Sequence, residues 1–316
     1  MAMRCSSRAH WPILGAALLT GCAGSANVAT GPGQTLAVSA TRVRTLPVSV
    51  RAPASEVRKL AVGVWVNPGL VDSGPTSVDS VQTVIGRTFD YALHYANLTD
   101  PFPDMDERDD ITYGRTPIVS IRCLTPLTQI TNGSMNAAID ALAAEMTAYG
   151  RPIELRYCWE MNVVYENASK ANYVASWIYF HKRFVADGVT NVRWFFCPGA
   201  TANFLNTGML YYPGDAYVDD IGFDVYDRTG VGFEATMDPP YAIYSQSTKP
   251  VIIGETGELA ANQAGYLNAA TPELIATRYP KVTALMYFDA SGPNDDYSWS
   301  GDGLSSFAGF ARAAHL

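Results

Sequence analysis

The sequence predicts an α/β chain whose main body is one (β/α)8 barrel of the TIM type, on three observations. Eight short β-branched or aromatic runs recur at intervals of about thirty residues, they occupy about 260 residues from Leu60 onward, and amphipathic segments separate them. An open doubly wound sheet usually has fewer strands and opens with a glycine-rich phosphate loop; here the first run is followed by NPGLVDSG, which is not one.

The expected strands are residues 60–66, 88–95, 117–123, 153–160, 192–197, 219–226, 250–255 and 282–289. Between the third and fourth, Asn132 or Ser134 is placed to cap MNAAIDALAAEMTAY, a helix stopped at Gly150. Ser169 is placed to cap KANYVASWIYFHKRFVAD, stopped at Gly188. The stretch from Gly199 to Gly214 is long for a barrel connection, as loops that shape a substrate cleft often are.

Ahead of this body, residues 1–22 read as an export signal: a weakly basic start, an apolar run from Trp11 to Leu19 too short to span a bilayer, then Leu19-Thr20-Gly21-Cys22. That tetrapeptide resembles a bacterial lipobox, which implies Cys22 as lipid anchor and an exported, membrane-tethered protein on the bacterial surface or periplasmic side. Residues 23–57, rich in Ala, Gly, Ser, Thr, Val and Pro, read as a flexible tether, leaving 58–316 as the single folded domain.

Composition bounds the partners. The chain has 316 residues, 48% hydrophobic and only 16% charged, enough for one large core. Arg4 and Arg8 fall in the signal, so the remainder has 20 basic against 30 acidic residues, a formal charge of −10. That argues against nucleic acid and against anionic lipid, leaving the N-terminal lipid as the only membrane contact expected. A monomer is expected. Three cysteines remain in the body, Cys123, Cys158 and Cys197, with no metal-ligand spacing, and they read as buried thiols rather than a bridge plus a free thiol.

In a barrel the chemistry sits at the C-terminal strand ends. Those ends carry Arg122, Glu160, Asp224 with Tyr226, Glu255 and Asp289. If strand four runs to Glu160, two-residue alternation puts Arg156, Cys158 and Glu160 on one face, and a buried Arg156 needs a carboxylate. Glu160 and Glu255, on strands across the barrel from each other, form the pair of carboxylates that glycosidic cleavage requires. Neither a GxSxG elbow nor HExxH occurs, and with His10 in the signal and His315 at the terminus only His94 and His181 remain, so a serine triad or a zinc site has little to draw on. His94 is a candidate substrate contact and His181, in a helical amphipathic run, a surface or packing residue. Asp104, Asp106, Glu107, Asp109 and Asp110 do not follow calcium-loop spacing and read as a solvated acidic loop. No cofactor and no metal is implied. The three glycosylation-type tripeptides at Asn97, Asn132 and Asn167 carry no meaning behind a lipobox.

Three motifs, RYCWEMN at 156–162, YYPGDAYVDDIGFDVYD at 211–227 and KPVIIGETG at 249–257, with ALMYFD at 284–289 in the last strand, resemble glycoside hydrolase family 26, the β-mannanase type of retaining (β/α)8 enzymes. The resemblance runs from about Leu60 to the end and implies Glu160 as acid/base, Glu255 as nucleophile, Tyr226 as a hydrogen-bond donor to it and Arg156 as its neighbour from below, with Asp224 close by. It also implies carboxyl groups about 5–5.5 Å apart and a polysaccharide or oligosaccharide substrate. The family usually has histidine directly before the acid/base, and glycine with a tryptophan soon after. Trp159 and Asn162-Val163-Val164-Tyr165 stand here, so the resemblance carries over the reaction class and not the sugar.

Aromatics at strand ends are candidates for stacking on sugar: Trp65, Tyr165, Trp194, Tyr287 and Trp299, of which Trp299 has the best claim to a cleft wall and Trp194 is as readily core. Trp159 is expected to lend the acid an apolar surround together with Met161; Asn203, in the loop after strand five, is a candidate to face sugar hydroxyls but reads more readily as an exposed loop asparagine. The alternative to an enzyme is an inactive surface glycan-binding lipoprotein on the same barrel.

Overall fold

The computed structural model describes residues 59–67, 77–164, 169–291 and 295–314. The export signal, Cys22, the tether and Tyr165 lie outside them.

All eight expected strands form, as β1 (Ala61–Val66), β2 (Tyr91–Ala96), β3 (Thr116–Ile121), β4 (Ile153–Tyr157), β5 (Val192–Phe196), β6 (Asp220–Asp227), β7 (Val251–Glu258) and β8 (Val282–Asp289). Each pairs in parallel with the next, and β1 pairs with β8, closing the barrel. Among the described residues nine α-helices surround it: α1 (Val78–Ile85), α2 (Met105–Tyr113), α3 (Leu127–Thr131), α4 (Asn136–Tyr149), α5 (Lys170–Ala186), α6 (Phe233–Tyr244), α7 (Gln263–Ala269), α8 (Pro272–Arg278) and α9 (Gly301–Ala313). The chain is thus a single-domain (β/α)8 barrel.

Strand alternation sorts the core into two layers. Leu93, Ile118, Phe195, Cys197, Ile252, Ala284 and Met286 fill the barrel interior, while the larger cluster, including Val62, Leu155, Tyr157, Trp194, Phe223 and Tyr287, lies between strands and helices. Gly222 shows how tightly the interior is filled: a Cβ there would stand 1.9 Å from the Ile252 carbonyl oxygen and 2.7 Å from Phe195. At the N-terminal end, Arg193 bridges inward-facing Glu154 and Asp220 at 3.2 and 2.5 Å, neutralising two acids the barrel would otherwise bury unpaired.

Helix starts follow local hydrogen-bonding chemistry. Ser169 caps α5 as expected, accepting from the Asn172 amide, and Gly150 ends α4 in the left-handed conformation. Asn132 and Ser134 do not cap α4; its N-cap is Met135, and Asn132 instead turns its side chain onto Ser134. The acidic cluster is not a loop. Asp104 caps α2 in a capping box with Glu107, and Asp110 is fully buried, bonded to Arg115 and to His94.

Cys123 and Cys158 are joined, and Cys197 is the free, buried cysteine, which corrects the expectation of three thiols. Both partners stand just past the ends of neighbouring strands, since Ile121 and Tyr157 are register partners of β3 and β4. Closing a loop over a sequence separation of 35 contributes about 4 kcal/mol in chain-entropy terms.

Candidate active site

Strand β4 ends at Tyr157, three residues before Glu160, and the chain then turns rather than continuing the pleat. Cys158 and Glu160 adopt left-handed φ angles of 49° and 48°. Alternation therefore fails beyond Tyr157. Arg156 points into the barrel, Cys158 and Met161 pack in the outer core, and Trp159 turns back inside, 4.9 Å from Tyr95 and 5.6 Å from the Arg156 guanidinium by ring centroid. Trp159 is only 2% exposed, so it supports the side chains beneath it and leaves no face for a sugar.

The other carboxylate sits on a bulge. In β6 and β7, Phe223 pairs with Ile253 but Asp224 with Glu255, so Gly254 is an extra residue in β7. A Cβ on Gly254 would come within 2.5 Å of both the Asp224 carboxylate and the Cys197 sulfur, and glycine is what lets β7 pass the charged floor of the site.

Three donors converge on Glu255. Tyr95 donates to its Oε1 at 2.5 Å, Arg156 Nη2 donates to the same oxygen, and Tyr226 donates to Oε2. Burial and the charge of Glu255 hold both phenols well above their ordinary pKa, so they stay donors. Arg156 is fully buried and also donates from Nη1 to both oxygens of Asp224 at 3.0 Å, with its Nε bonded to Ser120 at 2.8 Å. Cys197 adds a bond to Asp224 at 3.0 Å; burial pushes this thiol well up and keeps its proton. Removing the guanidinium would leave two buried carboxylates uncompensated, at about 3–5 kcal/mol.

Glu160 is set the opposite way. Among the described residues no side chain donates to its carboxyl, which lies beside Gly199 and Val163: a Cβ on Gly199 would be 3.3 Å from Glu160 Oε1 and 2.5 Å from Val163 Cγ2. Burial first, then the charge of Glu255, raise its pKa to about 8, with Arg156 and Arg228 opposing. At neutral pH it holds a proton, while the carboxylate opposite accepts from three donors. That asymmetry is what acid-assisted displacement at a sugar carbon uses.

Of the expected site residues, the structure brings together Glu160, Glu255, Tyr226, Arg156, Asp224 and Trp159. It does not bring in Trp299, which stacks on Tyr287 and Phe307 at 4.0 and 4.7 Å, between β8 and α9. Asn203 is exposed in the loop after β5, and no contact around the two glutamates involves it. His94 faces α2 through Asp110 at 2.6 Å, not the barrel mouth. Tyr287, with its hydroxyl on the Tyr297 carbonyl at 3.0 Å, and Trp194 belong to the outer core, and His181 packs on Trp194. Asp289 is buried and accepts from the Trp299 amide at 3.0 Å, tying down the loop after β8.

The site residues missed from sequence sit one position from those chosen. Tyr95, not His94, is the inward residue of β2, and Phe288, not Tyr287, that of β8. Phe288 stacks on Trp65 at 4.6 Å and meets Tyr226 edge-on at 5.8 Å, while Tyr297 stacks on Tyr226 at 4.6 Å. Trp65 is at the mouth, edge-on to Tyr95 at 5.5 Å. The Arg122 guanidinium lies over the Tyr95 ring at 5.9 Å.

The sequence pattern of Glycosyl hydrolase family 26 matches residues 153–294, from the start of β4 to beyond β8, and so spans both glutamates. That stretch, 142 of the 316 residues, is what makes the chain similar to glycoside hydrolase family 26. Endoglucanase H of Acetivibrio thermocellus is 27% identical in an alignment of 261 residues that covers 75% of this chain and 28% of that protein. The chain therefore spans under a third of this relative's length. The barrel superposes on the family 26 β-mannanase BoMan26A of Bacteroides ovatus with a TM-score of 0.62, 15% identity, and coverage of 82% of this chain and 90% of the other. An endo-β-1,4-mannanase catalytic domain of Bacillus sp. JAMB-750 gives 0.61 and 18%, covering 82% and 87%.

Proposed function

We propose that this chain is a retaining glycoside hydrolase of family 26 that cleaves β-linked polysaccharide, β-mannan foremost, by double displacement. The observation that carries the reading is the opposed setting of the two glutamates, Glu255 under three donors and Glu160 under none.

In the first step a Glu255 oxygen attacks the anomeric carbon while Glu160 gives its proton to the departing glycosidic oxygen, leaving a glycosyl ester on Glu255. In the second, Glu160, now a carboxylate, takes a proton from water, whose oxygen displaces Glu255 and restores both side chains. Tyr95, Tyr226 and Arg156 hold Glu255 aimed and receive charge back as the ester breaks, at no cost in reorganisation. Trp65 and Phe288 offer apolar faces at the mouth, suited to the faces of sugar rings. Cleavage within the polymer, and export with a lipid on Cys22, are part of the same reading, and a protein held outside the cytoplasm is where the Cys123–Cys158 bond would persist.

The sugar is the least constrained part. One relative is an endoglucanase and the structural neighbours are mannanases, which makes glucan the second candidate after mannan. The test is hydrolysis of β-mannan, β-glucan and xylan by the chain, with Glu160→Ala and Glu255→Ala alongside. Reducing ends released by the wild type and lost in both variants support the reading. Binding of a glycan without cleavage, unchanged in both variants, would replace it with a surface glycan binder.

A further inference from the structure

The family 26 reading leaves open what holds Glu160 in place, since no side chain bonds its carboxyl among the described residues. Its backbone is held from two directions. Toward β3, Cys158 is crosslinked to Cys123, and its amide donates to the Ile121 carbonyl at 2.8 Å. Toward β5, the Glu160 amide donates to the Cys197 carbonyl at 2.8 Å, and two residues on Asn162 seals the contact. Asn162 is 3% exposed and uses both ends of its amide on one residue: Oδ1 accepts from the Gly199 amide at 3.0 Å, and Nδ2 donates to the Gly199 carbonyl at 2.8 Å. Nδ2 also reaches the Phe204 carbonyl at 3.2 Å and Thr207 Oγ1 at 3.0 Å. Gly199 is the residue lying against the Glu160 carboxyl, and it bridges to Asp224 of β6.

We propose that Asn162 and the Cys123–Cys158 disulfide are positioning groups for the acid/base, fixing Glu160 through its backbone by clamping the left-handed turn 158–160 between β3 and the loop after β5. The inference rests on the reading of Glu160 as the proton donor. The geometry explains why side-chain bonds are dispensable there. A donor aimed at the carboxyl would favour its charged form, and an acid that must keep a proton is better steered by the chain that carries it. The left-handed φ angles at Cys158 and Glu160 are strained for residues with side chains, and a turn of this kind persists where its surroundings over-determine it.

The proposal is tested on Asn162→Ala, on Cys123→Ser/Cys158→Ser, and on the wild-type chain treated with a reductant, which reads the crosslink without substitution. The first readout needs no turnover: titration of the Glu160 carboxyl by infrared difference spectroscopy, with Glu160→Gln as the subtracted reference. Glu160 faces Glu255, Asp224, Tyr226, Arg156 and Arg228 in the intact site. Once unclamped it turns toward water, and its midpoint should fall by a unit or more from about 8, toward the ordinary carboxyl range of about 4.3. The second readout is the ratio of kcat/KM on β-mannan to that on 2,4-dinitrophenyl β-mannobioside, whose leaving group departs without a proton. The ratio should fall on the order of 10-fold to 100-fold, within the range that general acid catalysis supplies. A merely structural role would lower Tm and leave midpoint and ratio where they were. An unchanged midpoint in a folded variant overturns the role of that anchor. A wild type that cleaves neither probe removes the hydrolase reading, and the titration still decides the positioning.

Discussion

The two glutamates of this barrel occupy environments built on opposite principles. Glu255 stands on a strand, at a bulge made possible by Gly254, with Tyr95, Tyr226 and Arg156 bonded to its oxygens. Glu160 stands three residues past the end of its strand, in a left-handed turn, beside a glycine and a valine. One side chain is stabilised as an acceptor by what surrounds it, the other is kept protonated by what is missing. Two chemically equal residues thus acquire opposite surroundings from fold position alone, and each of the following variants removes part of that difference.

The largest effects come from the glutamates themselves. Glu255→Ala should lower kcat on the order of 10⁵-fold or more, the scale at which losing a nucleophile is felt. Glu160→Ala should cost about 10²- to 10⁴-fold on unactivated polysaccharide, and far less on the glycosylation step of a dinitrophenyl glycoside. Equal losses on both substrates would erase the distinction between nucleophile and acid.

Next come the phenols. Tyr95→Phe and Tyr226→Phe each remove one bond to a charged acceptor, about 1.5–3 kcal/mol, so kcat should fall about 10- to 150-fold with little change in KM if the bond matters most as the glycosyl ester breaks. Steady-state kinetics on the hydrolysed glycan checks this. A change confined to KM would place both hydroxyls on the substrate rather than on Glu255.

The pH dependence should follow Glu160. Its pKa lies near 8, above the ordinary carboxyl value, so activity should show an alkaline limb at about 8 where the donor loses its proton. The sign for stability follows from the same shift. Between about 4.5 and 8 the folded state binds more protons at this site than the unfolded chain, so wild type loses stability relative to Glu160→Gln as pH rises through that window. Thermal melts at pH 5 and pH 9 for the two proteins check it; a constant difference would mean that Glu160 titrates alike in both states.

The barrel was legible in the sequence because eight apolar runs with strand periodicity leave few other ways to bury them. Arg156, Asp224, Tyr226 and Glu255 were legible because they stand on strands. The errors lie where the pleat ends or the parity was left unresolved. Reading β4 through to Glu160 put Cys158 on the face of Arg156, whereas its left-handed turn sends it to Cys123 in the outer layer. Two cysteines just past the ends of adjacent strands were the available signal for that bond. His94 and Tyr95 are consecutive, so only one could face inward, and Leu93, apolar and inside, would have chosen Tyr95. Asn162 lay within a quoted motif, but its role depends on a loop thirty-seven residues away, which no local pattern reveals.

The same parity governs the smallest prediction, on the two aromatics near the end of β8. Trp299 was the sequence choice for a cleft wall, yet it stacks on Tyr287 and Phe307 behind the strand, while Phe288 faces the mouth against Trp65 and Tyr226. Trp299→Leu should therefore cost stability, about 1–3 kcal/mol as lost stacking and packing, and leave kcat/KM within about threefold, since Trp299 stacks in the layer of Tyr287 and Phe307 behind the strand. Phe288→Leu should do the reverse, sparing the melt and weakening turnover, because the ring it removes borders Tyr226, whose hydroxyl is bonded to Glu255. Melting curves and kcat/KM on the two variants separate these outcomes. If Trp299→Leu were the variant that lost activity, the loop after β8 would have to reach over the mouth in the working enzyme, and the division between catalytic interior and structural exterior drawn from strand parity would not hold at β8.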